Sequence, residues 1–199
     1  MMITSKIKQR IIGKGRGAIF APLDFLDIGS RASVDQALSR LADQGVIRRL
    51  TRGLYDYPKK SPRFGYLSPS ADDVAQAVAR KDNQVLQPSP AMAANQLGLS
   101  TQVPAKPTYM TNGPTRTKTI GRQVIQFRNA SSKTLVGAGQ KTGAVFQALR
   151  YVGKDRVDDQ VIGKLARSLD DNDRAMLSKQ SKRAPAWMHA VVQQIVEHV

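Results

Sequence analysis

Residues equipped for bond-making chemistry are few in this chain, and they are scattered. The 199 residues contain no cysteine and two histidines, His189 and His198. Without cysteine there is no disulfide, no thiolate zinc site and no cysteine nucleophile. The histidines stand nine positions apart in a helical segment, so they face different directions and do not share a metal. Glu197 is the only glutamate. The aspartates gather as Asp158/Asp159 and Asp170/Asp171/Asp173, each group at the start of a helical pattern where carboxylates favour the positive end of the helix dipole. The second group lacks a calcium loop's glycine, replaced by Arg174, and no distant Glu follows. Gly13-Lys14-Gly15-Arg16-Gly17 lacks the Gly-Lys-Ser/Thr of a phosphate-binding loop and follows a helix, so it reads as a turn. No HExxH, GxSxG or paired-carboxylate pattern is present. The expectation is a protein that is not an enzyme, with no catalytic residue, no metal and no cofactor.

The other chemistry open to these side chains is ionic. Lys and Arg number 31 against 15 acids, a net charge of +16. Residues 1–60 hold 12 Lys/Arg against 5 Asp, and from 83 to 154 there is no acid while nine Lys/Arg occur. Such stretches attract polyanions, with counterion release from phosphates as the gain. Two groups of residues carry this chemistry. The first is Arg31, Ser33, Gln36, Arg40, Arg48, Arg49 and Arg52, candidates for contacting DNA. The second is Arg116, Lys118, Arg122 and Arg128 in a β-rich stretch, either a solvated sheet face or a second anion-binding surface.

The elements that must position the first group are legible between Gly29 and Pro58. Ser30 or Ser33 can cap a helix whose buried face is Val34, Ala37, Leu38 and Leu41. Gly45 supplies a left-handed helix end. Residues 46–50 and 54–57 are β-formers flanking Thr51-Arg52-Gly53, a hairpin turn. Before them the pattern predicts a helix over 3–12, a short strand over 18–21 and one or two helical turns over 22–28. Helix, strand, helix, helix, strand, strand is the order of a winged helix-turn-helix. A single reading helix per chain implies two copies on an inverted repeat of double-stranded DNA.

After this block, Pro58-Lys59-Lys60-Ser61-Pro62-Arg63 reads as an extended boundary, dividing the chain into domains 1–62 and 63–199. A fragment beginning near Gly65 is then expected to fold alone. Helices are predicted over 68–81 and 91–97, β-structure over 108–128 with a turn at Asn112-Gly113-Pro114, and helices over 142–152, 155–169, after 170 and over 186–199. The predicted fold class is α+β: an N-terminal winged helix-turn-helix, then a mixed α+β domain with a C-terminal helical region. No apolar run approaches the ~20 residues of a membrane span and no signal peptide is visible, so a cytoplasmic protein without membrane contact is expected.

The ordered set SRASVDQALSRL, Gly45, IRRLTRGLYDYP, the Pro-rich exit, Leu97-Gly98-Leu99-Ser100, Pro107-Thr108-Tyr109, Thr111-Asn112-Gly113, Ile125-Gln126-Phe127-Arg128 and Ala184-Pro185-Ala186-Trp187-Met188 resembles the AbiEi-like antitoxins of type IV toxin–antitoxin systems. The resemblance implies a winged-helix repressor of its own operon, plus a C-terminal domain that counters a nucleotidyltransferase-type toxin. It places DNA contact on Arg31, Ser33, Gln36 and Arg40 in the third helix and on Arg48, Arg49 and Arg52 in the wing. Two alternatives stand beside it: a plain transcription factor whose second domain senses a ligand or dimerises, and an RNA-binding protein using the basic middle of the chain.

Overall fold

The computed structural model describes residues 3–121 and 123–198. The chain is a mixed α+β protein that divides into two compact units: Met1–Asn83 with Thr119–Gln123, and Gln84–Lys118 with Val124–Val199.

Unit 1 runs α1 (Ile3–Lys14), β1 (Ile19–Phe20), a 3-10 turn (Pro22–Phe25), α2 (Arg31–Asp43), β2 (Arg48–Thr51), β3 (Leu54–Asp56), β4 (Lys60–Ser61), β5 (Gly65–Tyr66) and α3 (Ala71–Lys81). Ser30 is the residue that starts α2: its hydroxyl accepts from Ser33 N at 3.4 Å, satisfying an amide with no partner inside the helix. Gly45, at φ +68°, reverses the chain after α2, and Val46 N and Ile47 N both donate to Leu41 O. The strands pair antiparallel in the order β1-β3-β2. They close over a core of Ile7, Ile11, Phe20, Phe25, Val34, Leu38, Leu41, Ile47 and Tyr55, in which Phe20 and Phe25 meet edge to face at 5.7 Å. Each of these side chains contributes about 1.5–3 kcal/mol by leaving water. That burial holds α2 against the sheet.

The stretch expected to be an extended boundary forms structure of its own. β4 and β5 pair antiparallel, with Gly65 at φ +69° completing the turn. Helix α3 follows, capped by Ser70, and buries Val74, Ala75 and Val78. Its last turn is bonded inside unit 1: Arg80 Nη2 donates to Ile19 O and Lys81 Nζ to Arg52 O, each at 3.1 Å. Unit 1 therefore runs past Pro62 to Asn83 and includes the ribbon and α3. Two prolines limit what residues 58–63 can bury, yet their flanks remain free to pair as a ribbon. A fragment starting at Gly65 would carry α3 without the strands it bonds to. Thr119–Gln123 also belongs to unit 1, so unit 2 is not one continuous stretch.

Unit 2 consists of β6 (Leu86–Pro88), α4 (Pro90–Gln96), β7 (Thr108–Thr111), most of β8 (Arg116–Ile120) and of β9 (Gln123–Asn129), α5 (Lys141–Val152), a 3-10 turn (Lys154–Arg156), α6 (Asp159–Arg167), α7 (Asp171–Ser181) and α8 (Ala186–Glu197), with Thr119–Gln123 counted in unit 1. The sheet order is β6-β7-β9-β8. β7 pairs in parallel with β9, so the Asn112-Gly113-Pro114 turn closes no hairpin between β7 and β8. The parallel register sets Tyr109 against Phe127, both buried, with rings 6.3 Å apart. Asn129 Nδ2 fixes the turn by donating to Gly113 O at 2.8 Å. The helices pack around Val145, Phe146, Leu149, Leu165, Leu177, Met188, Val192 and Ile195. Helix α6 starts later than its apolar pattern because Asp158 caps it, accepting from Val161 N at 2.8 Å.

Candidate nucleic-acid interface

Burial of one stripe of α2 decides what the opposite stripe presents. With Val34, Ala37, Leu38 and Leu41 in the core, Arg31, Gln36, Ser39 and Arg40 are exposed. Ser33 is half-buried, its hydroxyl 3.0 Å from that of Ser30, and so belongs to the cap. Arg31 Nε donates to Asp35 Oδ2 at 2.9 Å, one turn along the same face. This pair is exposed, worth about 0.3–0.5 kcal/mol, and opens at little cost when a stronger anion arrives. The side chains of Gln36 and Arg40 make no hydrogen bond or ion pair with other described residues.

The three hairpin arginines, grouped together by the sequence, do different things. Arg48 stands opposite Asp56 across the β2–β3 ladder. Its Nε reaches Asp56 Oδ1 at 3.1 Å, and its Nη2 reaches Asp56 Oδ2 at 2.7 Å and Leu67 O at 2.9 Å. Asp56 is 1% exposed, so this is a fork-to-carboxylate pair with a desolvated anion. The hydrogen bonds to Asp56 hold the Arg48 guanidinium protonated even more firmly than usual. Arg48 therefore joins strands and has few donors left for a phosphate. The sequence held half of this signal, an acid within a basic hairpin, but the register that sets Arg48 rather than Arg49 opposite Asp56 comes from the structure.

Arg49 and Arg52 remain available. The Arg49 guanidinium lies 5.5 Å from the Tyr55 ring and stays exposed. Arg52 sits at the hairpin turn with its side chain in solvent. Ser39, Asp43, Arg49, Tyr55, Pro58 and Tyr66 are among the residues lining an open cleft of about 390 Å³ that joins α2, the β2–β3 hairpin and β5. The β4–β5 ribbon is the part of this surface that pattern reading missed, because a linker-like composition concealed it.

The second basic group does not form one face. Arg116 is half-buried, with its guanidinium 5.4 Å from the Phe127 ring and its Nη2 donating to Gln84 Oε1 at 2.9 Å. Lys118, two residues along β8, shares that side of the strand and is also half-buried. Arg128 directly follows Phe127 in β9, so it projects from the opposite side and is exposed. Arg122 lies outside the described residues.

Among the described residues, no three His, Asp or Glu side chains come close enough to hold a metal ion. Asp158 and Asp170 are helix caps, and Asp170 shares a capping box with Asp173. His189 Nδ1 is 2.7 Å from Ser181 Oγ, a distance that resembles a nucleophile and its base. However, Ser181 is 1% exposed and its hydroxyl donates to Ser178 O at 2.7 Å. With that one proton engaged, the imidazole is the donor, and the pair ties α7 to α8. No helix among the described residues is long and apolar enough to cross a membrane.

The model of a family described as being of unknown function (DUF6088) matches residues 6–177, and the chain belongs to that family. No curated protein matches the chain.

Proposed function

We propose that this member of the family is a cytoplasmic, DNA-binding transcriptional repressor, with α2 as the reading helix of a winged helix-turn-helix and β2–β3 as its wing. The observation that carries the reading is the availability of side chains. The side chains of Gln36 and Arg40 on α2, and of Arg49 and Arg52 on the adjoining hairpin, are exposed and make no hydrogen bond or ion pair with described residues. The element order α1, β1, 3-10 turn, α2, β2, β3 supports it. Gln36 matches the donor–acceptor pair of adenine in the major groove, and Arg40 or an opened Arg31 matches guanine. Arg49 and Arg52 meet phosphates. Two copies on an inverted repeat at its own promoter bring the specificity one helix lacks.

The second half of the proposal is that the protein is the antitoxin of a type IV system, counteracting a nucleotidyltransferase-type toxin. It rests on the likeness of the sequence motifs to AbiEi-like antitoxins and assigns that activity to unit 2. The test uses the full chain. It is mixed with labelled duplexes tiling the DNA upstream of its own coding sequence, and it is co-expressed with the product of the adjacent gene. Retention of one duplex over the others, together with rescue of growth, is expected. Failure to retain any duplex overturns the DNA-binding half. Retention without rescue, or an adjacent gene encoding no such toxin, overturns the antitoxin half and leaves a plain transcription factor. Preference for RNA over duplex overturns both in favour of an RNA-binding protein.

A further inference from the structure

The β4–β5 ribbon has the features of a ligand-contacting element and little to do in the fold. Between residues 57 and 71 there is no acid, while Lys59, Lys60 and Arg63 are all present and exposed. Phe64, at the turn, is 72% exposed and Tyr66 is 58% exposed, two large rings left in water beside cations. Lys60 Nζ lies 5.8 Å from the Tyr66 ring and the Arg63 guanidinium 5.4 Å from Phe64. With two residue pairs, a free ribbon of this kind would not hold its shape in water. This one is anchored at its base: Leu67 N donates to Lys59 O at 2.9 Å, Arg48 Nη2 to Leu67 O at 2.9 Å, and Arg16 Nη1 to Pro58 O at 3.0 Å. Its tip is set by Ser61 Oγ, which accepts from Arg63 N and Phe64 N, each at 3.3 Å. An exposed Phe on a fixed tip has already lost conformational freedom, which lowers what it loses on binding.

We propose that this ribbon is a second DNA-contacting element, which places Phe64 as an apolar wedge in the minor groove beside the base pairs read by α2. The proposal rests on the DNA-binding reading above. The ribbon adjoins that surface, because Tyr66 of β5 lines the same cleft as Ser39 and Asp43 of α2 and Arg49 of β2. An anchored phenylalanine between phosphate-binding cations is the combination with which proteins partly unstack a base step and bend the duplex. Lys59, Lys60 and Arg63 then meet the phosphates on either side of the narrow groove. The acid-free stretch around Lys59, Lys60 and Arg63 suits the regularly spaced phosphates of a duplex.

The experiment compares the full-length wild type with Phe64→Ala and Phe64→Trp on the duplexes tiling its own upstream DNA. It reads affinity by anisotropy and bending by circular permutation. Phe64 is exposed, so the melting temperature of each variant should match the wild type. Phe64→Ala is expected to bind about ten-fold more weakly, as loss of one inserted ring implies, and to lose the bend. Phe64→Trp keeps both. If the wild type binds and Phe64→Ala binds and bends equally well, this inference falls and the α2 reading stands. If the wild type binds no duplex, both fall. If the wild type prefers single-stranded oligonucleotides and Phe64→Ala loses only that preference, the ring stacks on free bases and the minor-groove assignment is overturned.

Discussion

The β2–β3 hairpin and the β8–β9 strands are both arginine-bearing β-structure, yet they use their arginines differently. In β2–β3 the one arginine drawn inward meets a buried carboxylate, Asp56, and its charge is cancelled where it stands. The two others point away and keep all their donors. In β8–β9 no acid lies nearby in sequence, and Arg116 is drawn inward by a ring and an amide, Phe127 and Gln84. Its charge survives while its Nη2 is engaged by Gln84, and Arg128 stands on the other side of the sheet. The first arrangement frees particular side chains for directional contacts. The second contributes a positive field without a shaped site. The number of cations in a segment therefore says little about how many can reach a ligand; what each one packs against decides that.

Five substitutions, in three groups, sharpen or break this contrast. The largest effect is expected at Arg48. Arg48→Ala leaves Asp56 buried with no cation, a loss of about 3 kcal/mol in stability, reduced toward 2 by the partial exposure of the guanidinium. Urea unfolding measures it. A variant as stable as the wild type that loses only DNA affinity would return Arg48 to the binding surface.

Next come the free residues. Gln36→Ala should cost about 1–3 kcal/mol on the preferred duplex and relax the choice of sequence, whereas Arg52→Ala should weaken binding on every duplex and lower the salt slope by about 1. Titrations of both variants at several salt concentrations separate the two behaviours. A sequence-specific defect in Arg52→Ala with none in Gln36→Ala would exchange their roles.

The smallest effect is predicted in the β8–β9 strands. Arg116→Ala should lower stability by about 1 kcal/mol, from the lost ring contact and amide hydrogen bond, while Arg128→Ala stays within about 0.5 kcal/mol. Equal losses at the two positions, read by thermal melts, would remove the distinction drawn between them.

Much of unit 1 was legible before its structure. Ser30 as a cap, the Val34/Ala37/Leu38/Leu41 stripe, Gly45 and the turn at Arg52-Gly53 are signals confined to a few neighbouring residues, and each element appears where they place it. Asp158 and Asp170 are likewise caps, set by the amides three residues on. The individual arginines were harder to place. The helical period placed Gln36 and Arg40 on the exposed stripe of α2, but nothing local distinguished Arg48 from Arg49 or Arg116 from Arg128.

By itself the sequence determined the caps and apolar stripes that place most of the helices, that the chain is α+β, and that it carries a large positive charge. Those properties follow from hydrogen bonds and side-chain periodicities spanning a few residues, and from composition. Only the tertiary structure decided that β9 lies between β7 and β8, that residues 58–67 turn back as an anchored ribbon, and that Arg48 closes on Asp56. Each of these depends on which buried surface finds which partner. Tyr109 against Phe127, a carboxylate without water, and a ribbon whose carbonyls are pinned by arginines from elsewhere are choices among long-range pairings, and loop closure costs too little to select among them. The balance of burial across the whole unit makes the selection, and no short window of residues contains it.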